Sequence, residues 1–81
     1  MFMAYYVYIL KCKDNTHYVG STSSVSRRLA DHKKGLVHTT RDKRPVILIW
    51  YCCFVNKLLA IQFERYLKHG SGFAFRKKHL A

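Results

Sequence analysis

Tyr5-Tyr6-Val7-Tyr8-Ile9-Leu10 and His17-Tyr18-Val19, with Lys13-Asp14-Asn15 between them and Gly20 behind, decide the fold of this 81-residue chain. Both segments are aromatic and β-branched, which suits strands. Lys13-Asp14-Asn15 supplies turn residues. The pair therefore reads as a β-hairpin. A three-residue loop centred on Asp14 sets Tyr8 opposite Gly20 and Leu10 opposite Tyr18, with both tyrosines on one face. A two-residue loop would put the rings on opposite faces, because a slip of one residue reverses side-chain sense. The odd-length loop is expected.

Ser21-Thr22-Ser23-Ser24 offers N-caps for a helix from Val25 to about Lys34, ended by Gly35. Its inward stripe would be Val25, Arg28, Leu29, His32 and Leu36, so two polar residues lie where apolar ones are expected. Arg27, Lys33 and Lys34 lie off the stripe. Val37 to Arg44 reads as a polar, basic loop. Pro45 leads into Val46-Ile47-Leu48-Ile49-Trp50-Tyr51-Cys52-Cys53-Phe54, a near-continuous apolar run that suits a central strand covered on both faces. Asn56 caps a second helix, Lys57 to His69, with Leu59, Ala60, Phe63, Tyr66 and Leu67 on one face. Glu64, the only glutamate, falls at the edge of that face. Gly70-Ser71-Gly72 reads as a helix break, and Phe73 to Leu80 as a short third helix. The order β-β-α-β-α-α predicts one domain of the mixed α/β class (α+β), with a small three-stranded sheet.

Fifteen Lys and Arg against four Asp and Glu give a net charge of +11. A field of that sign attracts polyanions. The basic residues are spread over loops and helices and form no amphipathic membrane helix, so nucleic acid, with DNA first, is the expected partner and a membrane is not. The longest apolar run is about half of what a membrane span needs. Met1-Phe2-Met3-Ala4 lacks a basic leader pattern. Cys12, Cys52 and Cys53 have no zinc-ligand spacing and read as reduced, buried thiols. A soluble cytoplasmic protein is expected.

Tyr8, Tyr18 and Arg28 are spaced by ten residues, with His32 one turn beyond and Glu64 on the later helix. Phosphodiester cleavage needs an activated nucleophile, charge stabilisation on phosphoryl oxygens and help for the leaving oxygen. An inward arginine can clamp phosphate oxygens; Arg27 is the alternative if the helix is rotated. A tyrosine with a pKa near 10 becomes a usable base beside a cation. One carboxylate can anchor one Mg²⁺, which keeps most of its waters. Each residue also has a structural reading: Glu64 in a surface pair with Lys68 worth about 0.2–0.5 kcal/mol, the tyrosines as packing aromatics, and His32 as a buried, hydrogen-bonded histidine.

The chain resembles the GIY-YIG nuclease superfamily, in particular its small stand-alone bacterial members, over Tyr5 to about Leu80. Val7-Tyr8 stands at the first motif, Tyr18-Val19-Gly20 at the second, Arg28 at the helix arginine, His32 at the following His or Tyr, and Glu64 at the metal-binding glutamate. Tyr6 replaces the first motif's glycine, and Val replaces Ile twice. Ser21 stands where some members have Lys, and no residue matches the Asn that some members carry later. The resemblance implies a metal-dependent endonuclease using Mg²⁺ or Mn²⁺, with one tyrosine, Tyr8 favoured, activating water. Arg41, Lys43, Arg44, Arg76, Lys77 and Lys78, with Arg27, Lys33 and Lys34, would contact backbone phosphates and give affinity without sequence reading. Structure-directed cleavage in repair or recombination is expected by analogy. The rivals are a catalytically weak binding module on the same fold and an RNA-binding protein.

Overall fold

The computed structural model describes residues 4–80. Met1 to Met3, where a leader pattern would begin, and Ala81 lie outside the described residues. The elements are β1 (Tyr5–Lys11), β2 (His17–Thr22), α1 (Val25–Lys33), a 3-10 turn (Arg41–Lys43), β3 (Ile47–Phe54), α2 (Lys57–Lys68) and α3 (Gly70–His79). The fold is α+β, with an antiparallel sheet in the order β2-β1-β3.

The hairpin has the expected register: Tyr8 faces Gly20 and Leu10 faces Tyr18. Asn15 N–H donates to the Cys12 carbonyl at 3.0 Å, and Asn15 takes φ 67°, which Asn tolerates better than most residues. Cys12 N–H then donates to the Thr16 carbonyl, closing an odd-length loop. Asp14 Oδ1 accepts from Thr16 N–H and from its hydroxyl, fixing the turn.

Two core clusters lie on the two faces of the sheet. Val7, Ile9 and Val19 pack with Ala60 and Leu67 of α2 on one face. Tyr8, Leu10, Cys12 and Val46 pack with Leu29 of α1 on the other. Ser24 caps α1 by accepting from Arg27 N–H, and Asn56 caps α2 by accepting from Leu59 N–H at 2.9 Å.

Several expectations are corrected. The central strand is β1, not β3: Val7 to Leu10 are buried, whereas β3 alternates between exposed and half-buried residues at the sheet edge. Leu36 is exposed and not part of the inward stripe, as are Leu59 and Tyr66 in good part on α2. Cys12 is buried, but Cys53 is exposed, and all three thiols are free. Gly70-Ser71-Gly72 starts α3 instead of merely breaking α2. His69 is extended, Gly70 takes φ 56°, and a Cβ at Gly72 would collide with the Tyr66 carbonyl oxygen. Glycine there permits the close approach of α3 to α2. Among the described residues no helix is long and apolar enough to cross a membrane.

Candidate active site

The register brings Tyr8 and Tyr18 together on the face that meets α1, with ring centroids 6.1 Å apart. Gly20 lies beneath them. A Cβ there would stand 2.5 Å from Tyr8 Oη and 2.9 Å from Tyr18 Cε1. The glycine of Tyr18-Val19-Gly20 is thus the floor on which both phenols rest.

His32 reaches the same place from α1, packing edge-on against Tyr18 with centroids 4.8 Å apart. It is fully buried. Its Nε2 lies 2.8 Å from Tyr8 Oη, and its Nδ1 lies 2.7 Å from Thr40 Oγ1. Burial, then the charge of Arg28, hold the imidazole below its ordinary pKa, so the neutral form is favoured. Burial, then Tyr18, push the Tyr8 phenol well above the ordinary tyrosine value, with Arg28 opposing. A protonated phenol beside a neutral imidazole gives one consistent chain. Tyr8 O–H donates to Nε2, and Nδ1–H donates to Thr40.

Arg28, not Arg27, lies toward the tyrosines. Burial pulls its guanidinium down, but Tyr8 and Tyr18 outweigh this and raise its pKa. Its ion pair with Asp31 is long, 3.8 Å, leaving its donors largely free for a ligand.

Glu64 belongs to a second group. Its Oε1 accepts from the Ser21 hydroxyl at 2.5 Å and its Oε2 from Lys68 Nζ at 2.7 Å. Ser21 pairs with Val7, so it points to the α2 face, opposite to the tyrosines. The two groups meet around β2. Tyr18 and Lys68 line one cleft, which Thr39 and Arg76 also line. Among the described residues Glu64 makes no hydrogen bond to Tyr8, Tyr18, Arg28 or His32, and no group of three metal-ligating side chains occurs. A lone carboxylate with an adjacent hydroxyl suits a hard cation that keeps its waters. Lys68 is an exposed surface partner that can swing away.

Of the residues expected on the nucleic-acid face, Arg27, Lys33, Lys34, Arg41, Arg44, Lys77 and Lys78 are exposed, and Lys43 is half-buried. Arg44 turns its guanidinium onto the carbonyls of Arg41 and Lys33, bracing the loop against α1. Arg76, expected beside them, is instead buried, 7% exposed, against the face of Phe73. Within the polar loop read from Val37 to Arg44, Thr40 sits fully buried under His32. Sequence reasoning also gave no partner to Ser21, which was notable only as a departure and here orients Glu64.

Fold and cluster together define a small basic α+β domain that gathers a hairpin tyrosine pair, a helix arginine and a buried histidine on one face of the sheet. The GIY-YIG catalytic domain family matches residues 4–78. The chain belongs to the GIY-YIG superfamily, a nuclease superfamily. It is 42% identical over 65 residues to a UPF0213 protein of Staphylococcus haemolyticus, covering 79% of each chain. It is 43% identical over 70 residues to a UPF0213 protein of Lactiplantibacillus plantarum, covering 83% of this chain and 69% of that one. Its fold is similar to the solution structure of a UPF0213 protein from Bacillus halodurans, with a TM-score of 0.58 and 37% identity over 93% of this chain and 81% of that one.

Proposed function

We propose that the chain is a metal-dependent endonuclease that hydrolyses phosphodiester bonds in DNA, directed by structure rather than sequence, with a role in repair or recombination. The observation that carries this reading is the buried Tyr8–His32–Thr40 chain beside Arg28. A phenol held above its ordinary pKa by burial can still act as a base if it passes its own proton on in the same step. Tyr8 takes the proton of the attacking water while His32 Nε2 receives the proton of Tyr8, and Thr40 holds the imidazole in the accepting tautomer. Arg28 binds the phosphoryl oxygens and offsets the charge that develops on them. Tyr18, half-buried at the mouth of the cluster, orients water or phosphate. Glu64 would hold Mg²⁺ or Mn²⁺, which would supply charge stabilisation at the phosphoryl and leaving oxygens. Exposed Arg27, Lys33, Lys34, Arg41, Lys77 and Lys78 hold the backbone.

A second reading is favoured by the hydrogen bonds that already engage both Glu64 oxygens. In it the chain binds DNA or structured RNA without cutting. Cleavage of nicked, branched and supercoiled DNA with Mg²⁺ or Mn²⁺, comparing wild type with Glu64→Ala, separates the two. The nuclease reading expects cleavage that vanishes in the variant, with a stability loss of about 1–3 kcal/mol, most of it from the part-buried Ser21 hydrogen bond and little from the surface pair with Lys68. Binding without cleavage by either protein selects the second reading.

A further inference from the structure

Arg76 is 7% exposed, yet its Nε and Nη1 are buried without a hydrogen-bond partner. A buried guanidinium is normally paired, because the loss of hydration must be offset. The ion pairs among the described residues, Arg28–Asp31 and Lys68–Glu64, do not involve it. Phe73 supports one face of the guanidinium at 5.0 Å, which holds the group in place but satisfies none of its N–H donors. Arg76 forms part of the wall of a cleft of about 420 Å³ that it shares with His17, Tyr18, Thr39, Lys68 and Phe73. A second cleft, on which Lys77 also lies, touches Arg76 and His17 as well.

We propose that Arg76, with His17, Lys68 and Thr39, is a binding site for a phosphate group of the nucleic-acid strand, set beside the cleavage site and sharing Tyr18 with it. This rests on the nuclease reading for its placement next to a scissile bond. The acceptor for Arg76 must come with the ligand, because no carboxylate lines the wall and Glu64, outside it, pairs with Lys68. His17 reports the same field: burial first, then Arg76, Lys11 and Lys77, depress its pKa. A guanidinium fork is the side chain best matched to phosphate oxygens. Tyr18 has its ring against His32 and also lines this cleft, so a strand laid over Tyr18 would run from the Tyr8–His32 cluster toward Arg76. The group bound is either an internal phosphodiester or a terminal phosphate monoester.

The test is a titration of the full chain, without divalent metal, followed by NMR at the Arg76 Nε–H resonance. The probes are inorganic phosphate, a short single strand with a 5′-hydroxyl, and the same strand with a 5′-phosphate. Inorganic phosphate is expected to shift the resonance. A matching shift with the 5′-hydroxyl strand assigns the site to an internal diester, and a shift confined to the 5′-phosphate strand assigns it to a chain end. A resonance unmoved by every probe overturns the proposal. Arg76→Met is expected to weaken strand binding about tenfold, the worth of one charge-assisted hydrogen bond, and to lower the salt slope by about one. Binding unchanged in a folded Arg76→Met overturns the proposal as well. Should that variant not fold, the wild-type titration decides alone. A moved resonance in a protein that never cleaves would refute the nuclease reading and leave the phosphate site standing; cleavage with an unmoved resonance would do the reverse.

Discussion

Gly20→Ala tests the site at its floor. The added Cβ would lie 2.5 Å from Tyr8 Oη, 2.7 Å from Tyr8 Cζ and 2.9 Å from Tyr18 Cε1. Ordinary contact needs about 3.5 Å, so the Tyr8 ring must retreat by about 1 Å. Tyr8 is 2% exposed and tied to His32 at 2.8 Å, so it has no free space to enter. Overpacking costs about 1–3 kcal/mol, and the strained hydrogen bond about 0.5–1.5 kcal/mol more. A domain of ordinary stability survives that loss. Misplacing a catalytic group by about 1 Å costs about 10²-fold in rate. Urea unfolding reads the first effect and the initial rate of DNA cleavage the second. The double variant Gly20→Ala with Tyr8→Phe should lose less stability than the sum of the singles, because it removes the closest clashing atom. Wild-type stability in Gly20→Ala would refute the packing argument, and a wild-type rate in a destabilised Gly20→Ala would remove Tyr8 from the chemistry.

Because the folded state holds His32 below its ordinary 6.5, the unfolded chain binds its proton first as pH falls. Its contribution to stability is complete above about pH 6.5 and is lost as pH drops through the folded value. His17 acts in the same sense. Wild type should therefore lose stability more steeply than His32→Gln below pH 6.5, along with an acid limb in its cleavage rate; parallel stability curves would refute the assignment. Gly72→Ala should cost at least about 3 kcal/mol, since the clashing atom is the Tyr66 backbone oxygen. Gly70→Ala meets open space and should cost only about 1–2 kcal/mol for its positive φ; the opposite ranking in thermal melts would contradict the α2–α3 geometry. Arg28→Ala should reduce cleavage about 10²–10³-fold with less than a tenfold loss of binding, and equal losses in the two assays would make Arg28 only a binding residue.

The hairpin was legible because its signals are local. Asp14 and Asn15 fix the turn, the turn fixes the register, and the register alone puts Tyr8 and Tyr18 on one face. Arg28 and His32 were legible as polar residues on a stripe that should have been apolar. The rank of β3 in the sheet was not, because Ile47, Ile49 and Tyr51 are as apolar as a central strand would require, and yet they are exposed. Hydrophobicity reports what a strand tolerates; its neighbours are settled by topology, and β1 gains a partner on each side. Gly70-Ser71-Gly72 was ambiguous for a related reason. Glycine ends helices and also lets helices touch, and only the position of Tyr66 selects the second role at Gly72.

Thr40 and Arg76 show the deeper limit. Both lie in basic, polar stretches, and polarity there reads as solvation. Each is instead buried, and the two differ in whether the protein itself completes their hydrogen bonds. Thr40 closes a chain through His32 to Tyr8, so its burial serves a site that is already organised before any ligand arrives. Arg76 sits at the i+4 position from buried Gly72 on the inward side of α3, a spacing that could have flagged it, but its guanidinium lacks partners at Nε and Nη1. A satisfied buried group can be explained by the fold alone. An unsatisfied buried cation in a chain of charge +11 cannot, because the fold had every exposed position available for one more arginine. Its burial makes physical sense if the missing acceptor arrives with the ligand. The two sides of Tyr18 would then divide the work, with chemistry prepared on one and a neighbouring phosphate captured on the other.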